Sequence, residues 1–589
     1  VPDADLSPVD LAIIGGYLLL VLLLGALIHR RATRGTESFF LAGRSLPWWV
    51  LGLAGCSSYI DVGGTMAMVG LMWFTGLQSI WITHLFWGWF ILAGYMAFQA
   101  RWIRRSGVMT FAEWNRARFG EGPDTEVART ATALFLLVLM VFNLGFIAVG
   151  VGKFAGTFVP NLPDWGSTLI VFGVVGAYTA MGGFFGVVLT DILQTVLIVV
   201  AAVALAWMAW QAGDPSALVA AKDPAWASLW PQWELWDGYA TSAPAWFAKF
   251  GALGPLLLAV SGWVLVRVLA GPNVWEFQFF LTARSPRDAQ LAAGLWTVGY
   301  TFRWILGAAF LVLGMHQFAD APAGFDSERI MPEVLAGLEH GVRGAFLALL
   351  LAALMSTLDA MVNVTSAVVV HDLLERTVAR GASQRRLVRM GQLASLGALG
   401  IGFGLSFWFE SITDVWETMI FVVVTVILVP SMLRWHWWRF SARAYTLGMG
   451  ASAVGVLAIA LSTGDDRLRL PLSVAWSLAA CVALGRRLPP APEAALLRFY
   501  ASVRPFGVWR PVREAAVRQG LVPEGDRQPR YDLANLGLAL VLQVALALVP
   551  IYALLRMWTQ ATVALGVVAA VGLLLAWTWR ATLPARAGR

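Results

Sequence analysis

The chain has 589 residues, of which 59% are hydrophobic and 13% charged. A soluble protein carries about 25% charged residues, so this composition, with a mean hydropathy of +0.70, excludes an ordinary soluble domain and describes a polytopic membrane protein. The formal net charge of +7 sits largely on arginines between apolar runs, the pattern of membrane topology rather than of nucleic-acid binding.

Runs of about 20 apolar residues predict about fifteen spans, at 10–28, 48–73, 78–102, 129–152, 166–186, 189–210, 245–270, 290–315, 341–373, 387–409, 413–434, 443–462, 470–485, 533–555 and 559–578. The start, Val1 to Asp10, is acidic and the first apolar run is a full span, which predicts no cleavable signal peptide. Cys56 and Cys481 both lie in apolar segments, so no disulfide framework is expected.

Span two carries Ala54-Gly-Cys-Ser-Ser-Tyr-Ile-Asp-Val-Gly-Gly-Thr65. Asp61 is expensive in hydrocarbon, and Gly63-Gly64 beside it predicts a break whose freed carbonyls can hold a cation. Spans two to six and seven to eleven form two sets of five with opposite starting sides. Span seven matches span two with Ser261-Gly262 near its middle and Gly271-Pro272 near its inner end. It also carries Arg267, which either clamps a substrate carboxylate or, as its favoured reading, snorkels to the inner interface. Span eight carries Arg303, one turn beyond Tyr300. Arg303 either clamps a substrate carboxylate in two-pronged fashion or pairs internally with Asp61.

Span nine contains Leu351-Ala-Ala-Leu-Met-Ser-Thr-Leu-Asp-Ala-Met-Val-Asn363. Ala352, Ser356, Asp359, Asn363 and Ser366 recur at three- and four-residue steps and share one face. Their oxygens are hard donors suited to Na⁺; the competing reading is helix–helix hydrogen bonding. Asp372 and Glu375 close this span and are expected to pair with Arg376 or a neighbouring loop. The stretch 486–532 is rich in Pro and Arg. It is read either as a surface segment dipping Leu497, Phe499, Tyr500, Val503, Phe506 and Trp509 into lipid headgroups, or as a solvated linker.

Arginines follow the first, third, seventh, ninth and eleventh spans, which puts those loops in the cytoplasm, the N-terminus outside and the C-terminus inside. The chain divides into an extra helix and loop (1–47), a first repeat with its outer loop (48–188 and 189–244), a second repeat (245–440), two further helices (441–486), the linker (487–532) and a terminal hairpin (533–589).

Four stretches, in matching order over roughly 37–435, resemble the sodium:solute symporter family: Phe40-Leu-Ala-Gly-Arg44, Gly182-Gly-Phe-Phe-Gly-Val-Val-Leu-Thr-Asp-Ile-Leu-Gln194, Gln278-Phe-Phe-Leu-Thr-Ala-Arg-Ser285 and Ala352-Ala-Leu-Met-Ser-Thr-Leu-Asp359. Phe279 stands where the family usually has Arg. The resemblance implies an all-α, leucine-transporter-type five-plus-five inverted repeat with extra flanking helices. It implies a Na⁺ site from the carbonyls of Tyr59, Val62 and Ala353 and the hydroxyls of Ser356 and Thr357. Some members hold a second Na⁺, here near Asp191 and Asp359. Ala360 leaves one ligand missing, and the two carboxylates can instead share a proton. At the implied substrate positions, Met66, Val266 and Tyr300 replace the polar contacts of sugar-carrying members, while Asp61 matches an acidic position of proline carriers. The run Leu433-Arg-Trp-His-Trp-Trp-Arg439 has no reading from sequence.

These features predict a Na⁺-coupled symporter importing a small polar solute, carboxylate-bearing or zwitterionic, across the inner membrane. Sodium, the solute and the bilayer are its expected partners, with no nucleic acid and no required oligomer. The alternatives are a sugar or polyol symporter, a proton-coupled carrier and a membrane sensor. No nucleophile–base constellation suggests an enzyme.

Overall fold

A computed structural model describes residues 6–158, 162–239, 243, 245–271, 274–319, 325–408, 419 and 424–583. Among these, eleven helices are long and apolar enough to cross a membrane. Where described, the predicted spans fall on helix, but several are interrupted. Pro272 and the first part of span eleven, 413–418 and 420–423, lie outside the described residues.

Burial separates centre from periphery. The most apolar windows of Val342–Leu374, Val62–Phe86 and Pro286–Gln317 are 83%, 78% and 72% buried, whereas those of Pro8–Ala32 and Trp558–Thr582 are 17% buried. A central helix meets protein on all sides; an outer one leaves most of its apolar surface for lipid. The first helix is fastened at its start. Ser7 and Asp10 form a capping box, and Asp10 also accepts from Gly341 N and Gly344 N at 2.7 and 2.8 Å.

Span two unwinds, upstream of the expected place. Trp48–Ser57 ends and Val62–Thr75 begins, leaving 58–61 out of the helix, while Gly63 and Gly64 are helical. The break falls there because Asp61 caps the second half, its carboxylate accepting from Gly64 N at 2.5 Å. In span seven, Ser261-Gly262 lies inside the unbroken helix Leu253–Ala270. That helix ends at Gly271 (φ 106°), and Val274–Thr282 follows. Span three, expected to be continuous, turns a corner at 87–90 between Ile82–Phe86 and Ile91–Gly94.

Spans five and six are joined without a loop in Asp164–Gln211, where Gly183 (φ 49°, ψ −150°) is non-helical. Tyr178 and Thr190 both donate to Asp359 Oδ2, at 2.5 and 3.4 Å. A straight helix rising about 1.5 Å per residue would hold them about 18 Å apart, so the chain doubles back at Gly183. A Cβ there would lie 2.6 Å from the Phe39 carbonyl, and the positive φ strains any side chain.

The loops predicted to share a side do meet. Arg44 donates to the carbonyls of Gly107 and Val108 at 2.8 and 2.9 Å, Arg284 N to Leu46 O at 3.0 Å, and Trp438 N to Val508 O at 3.2 Å. At the other helix ends, Gln78 donates to Ser228 O at 2.6 Å and Lys249 pairs with Asp466 at 3.7 Å.

The linker differs from expectation. Leu497, Phe499, Tyr500, Val503, Phe506 and Trp509 are buried against protein, not offered to lipid. Phe506 packs on Phe98 and Trp102, Phe499 on Trp114, and Trp509 Nε1 donates to Trp435 O at 3.0 Å. This explains the run 433–439: it is the seat of the linker. His436 faces Phe506 O and Leu269 O, each at 3.0 Å, and Trp437 bridges Val508. Amphipathic periodicity is the same whether the apolar face meets lipid or a protein wall.

Candidate functional site

The unwound segment 58–61 runs between two clusters. On one side lies Val342–Ala367 with its buried polar stripe. Ser356 Oγ donates to Asp191 Oδ1 at 2.5 Å and stands 2.8 Å from Ser57 Oγ. Thr357 Oγ1 is 3.4 Å from Ser58 O and 3.5 Å from Ala353 O. Four oxygens thus converge from the break and the intact helix: Ser58 O, Ala353 O, Ser356 Oγ and Thr357 Oγ1. All are neutral hard donors, the chemistry that suits Na⁺. Tyr59 O is turned elsewhere, accepting from Arg303 Nη1 at 2.7 Å. Val62 is buried at the start of the second half-helix.

Further along the stripe, Asp191 and Asp359 are both fully buried. Tyr178 and Thr190 occupy Asp359 Oδ2, and Ser356 occupies Asp191 Oδ1. Among the described residues, Asp191 Oδ2 and Asp359 Oδ1 have no hydrogen-bond partner, nor does either polar atom of the Asn363 side chain. Buried carboxylate oxygens without donors are costly unless a proton or cation serves them.

On the other side, Arg303 Nη2 pairs with Asp61 Oδ2 at 3.4 Å, and its guanidinium lies 5.1 Å over the Trp89 ring. The internal pair anticipated as one of the two readings of Arg303 is therefore formed. Asp61 remains 31% exposed while Arg303 is 2% exposed, so the pair is reached from the Asp61 side. Gly63, Gly64 and Met66 are half-buried along the same half-helix. Trp89 stacks on Tyr300 at 5.1 Å, and Tyr59 meets Trp89 and Trp296 edge-on at 4.9 and 5.2 Å. Val266 is buried beside Arg267. Arg267 does not snorkel: it is 6% exposed and sits 5.3 Å over Trp263. It lies in the last turn of Leu253–Ala270, but its neighbours close the path of its head to water.

Several residues at the site were not anticipated. Glu276 is fully buried and accepts from the hydroxyls of both Tyr59 and Tyr95. Its signal was available, a lone carboxylate in the apolar run Val274–Thr282. Trp89 gave none, because an interfacial Trp and a site Trp read alike. Nor did Gln543, which donates to Trp89 O at 2.8 Å from the terminal hairpin. At the arginine-rich end, Asp372 pairs with Arg129 at 2.7 Å and Glu375 with His371 at 2.8 Å, rather than with Arg376.

Sequence comparison finds relatives among sodium-coupled carriers. The chain is 27% identical over 450 residues to sodium/glucose cotransporter 2 of Rattus norvegicus, a match covering 66% of this chain and 61% of that protein, less than two thirds of its length. It is 24% identical over 435 residues to the sodium/glucose cotransporter of Vibrio parahaemolyticus, covering 67% and 74%. Among solved structures, an outward-open Na⁺-coupled sialic acid symporter superposes with a TM-score of 0.64 at 18% identity, over 82% of this chain and 99% of that one. That likeness shows the fold, the all-helical leucine-transporter type expected from sequence. The sodium:solute symporter model matches residues 39–443, more than half of the sequence, and the chain belongs to the sodium:solute symporter family.

Proposed function

We propose that this protein is a sodium-coupled symporter that imports a small polar organic solute, carboxylate-bearing or zwitterionic, by alternating access. It does no chemistry on the solute. It sits in the inner membrane with its N-terminus outside, the arginine-rich loops inside and the C-terminus cytoplasmic. The observation that carries the reading is the approach of the Ser58 carbonyl of the break to the hydroxyl pair Ser356–Thr357 and the Ala353 carbonyl of the intact helix. Sodium there takes oxygens from the unwound segment and from the neighbouring intact helix, two elements not joined by continuous helix. Binding favours whichever state brings them together, because a ligand shifts a population only by its differential affinity. Ser356, Thr357 and Ala353 hold the ion with the Ser58 carbonyl of the break, which takes the place expected of the Tyr59 carbonyl, and Val62 follows at the start of the second half-helix. Asp61, Met66, Val266, Tyr300 and Arg303 wall the solute cavity.

The test is a sodium titration of thermal stability against choline at constant ionic strength. Wild type should gain stability with sodium, and Ser356→Ala/Thr357→Ala should lose that gain while remaining folded. A double variant with the wild-type sodium response would remove the assignment. The unpartnered oxygens of Asp191 and Asp359 support a second occupant, either another Na⁺ or a shared proton.

A further inference from the structure

The peptide that joins Ser58 to Tyr59 carries the carbonyl that Thr357 approaches at 3.4 Å. A peptide unit is planar, so the direction of that carbonyl depends on where Tyr59 holds its own Cα. The main chain alone does little to fix it. Tyr59 N and Ile60 N reach back to Cys56 O and Ser57 O, at 3.4 and 3.0 Å, instead of joining the four-residue ladder of an α-helix. Side chains hold Tyr59 at both ends. Its carbonyl accepts from Arg303 Nη1 at 2.7 Å, and its phenol donates to Glu276. Between these bonds its ring meets Trp89, Trp296 and Tyr300 edge-on at 4.9, 5.2 and 6.2 Å. Glu276 is fully buried in Val274–Thr282, which follows the end of Leu253–Ala270. Its other oxygen accepts from Tyr95 of span three, and its charge also acts on Arg267. A tyrosine ring needs no charge in order to pack, and a carboxylate within a membrane is costly, so this bond calls for a role beyond filling space.

Resting on the symporter reading above, we propose that Glu276 is a positioning residue of the sodium site: through the Tyr59 hydroxyl it holds the Ser58–Tyr59 peptide so that the Ser58 carbonyl faces Thr357. Its action is indirect. The carboxylate accepts from the phenol, and the phenol steers the main chain. An ionised acceptor holds a hydroxyl more firmly than a neutral one, which suits a segment without a helical ladder. Arg303 and Glu276 thus grip Tyr59 with opposite charges, one from span eight and one from the helix that follows span seven. The same tie joins the break of the first repeat to its counterpart in the second. Sodium binding and the placing of Val274–Thr282 then become one equilibrium, because whatever displaces Glu276 displaces the Ser58 carbonyl, and the reverse.

The experiment measures equilibrium binding of radioactive sodium to the purified full-length protein in detergent, with choline keeping the ionic strength constant. Tyr59→Phe removes one hydroxyl and leaves the ring and every charge in place. Glu276→Gln removes the charge. Each should raise the half-saturating sodium concentration about tenfold, the scale of one hydrogen bond to a charged group, with Glu276→Asp between Gln and wild type. Both variants cut the same tie, so the double should bind about as weakly as either single rather than as the product of the two. Asp532→Asn removes a buried carboxylate that holds the terminal hairpin, and serves as the comparison for a purely structural effect. It should lose thermal stability and keep the wild-type sodium midpoint. Wild-type sodium affinity in Tyr59→Phe, or in folded Glu276→Gln, would overturn the proposal. So would strict additivity in the double, or an equal loss of sodium affinity in Asp532→Asn. A wild-type protein that binds no sodium would overturn the symporter reading itself; one that binds sodium while both single variants match it would overturn this assignment alone.

Discussion

Adding one methyl group at Gly64 should do more harm than the same change at Gly63. At Gly64 the new Cβ would lie well inside van der Waals contact of Arg303 Nη2, and 2.8 Å from Asp61 Oδ2. At Gly63 the nearest atom is Asp61 Oδ1 at 3.8 Å, an ordinary contact. Both positions are helical, so alanine gains about 1 kcal/mol of helix propensity at each. At Gly64 the guanidinium must move, and it gives up two partners. The buried bond to Tyr59 O, charged on one side, is worth about 1.5–3 kcal/mol. The pair with Asp61, whose side chain is 31% exposed, adds no more than about 1 kcal/mol. Gly64→Ala should therefore destabilise by about 2 kcal/mol, and Gly63→Ala should stabilise by about 1. Unfolding of both variants in one detergent, by heat or denaturant, reads the order. Combining Gly64→Ala with Arg303→Ala removes the clash, so the pair should be less harmful than the sum of its parts. Equal stability of the two alanine variants, or strict additivity in the double, would refute the reasoning.

Asp191→Asn should change the ion-to-solute stoichiometry or the pH profile of transport measured in proteoliposomes. If both stay as in wild type, Asp191 is only the acceptor for Ser356. The Arg101–Asp532 pair, fully buried at 2.5 Å, ties span three to the terminal hairpin; Asp532→Asn should destabilise by about 3–5 kcal/mol, and Arg101→Met/Asp532→Leu should recover most of it, as read by thermal unfolding. Burial pushes the Glu113 carboxyl up. The His371 hydrogen bond and charge, Met109 N–H and Arg129 outweigh it and hold the group at about 2 against an ordinary 4.5. A depressed carboxylate contributes stability above its unfolded value and loses it as pH falls. Glu113→Gln should thus cost stability at pH 7 and narrow its gap to wild type as pH drops from about 4.5 toward 2, checked by melts across that range.

Much of this organisation was legible because lipid imposes simple rules. Long apolar runs, arginine-rich loops and a carboxylate beside a break each have one physical cause, and each fell on the right helix. The placement of the break did not follow from Gly63-Gly64, since glycine permits unwinding without requiring it. The capping carboxylate of Asp61 decides it, through a bond to Gly64 N only three residues along. Ser261-Gly262 in span seven misled because glycine permits a break without requiring one. The oxygen stripe from Ser356 to Asn363 was readable from helical spacing, whereas its partners Tyr178 and Ser57 were not, because their approach depends on the reversal at Gly183 and on the break itself. Arg267 was misread because snorkelling assumes a free path to the interface, and its neighbours close that path.

The linker seated on Trp435 and His436 bears on where this chain can be cut. The family match ends at residue 443, yet Phe98, Trp102, Trp114 and Trp435, all within that match, lean on side chains between 499 and 509. A protein trimmed after residue 487 would present these rings as one bare aromatic surface beside the basic loops, a patch of the kind that drives self-association. It would also lose the Phe506 carbonyl that steadies His436 beneath the end of Leu253–Ala270. The smallest piece that can be isolated and crystallised as a well-behaved particle is consequently longer than the family-matched stretch, and fusions or affinity tags belong after the terminal hairpin rather than at residue 443.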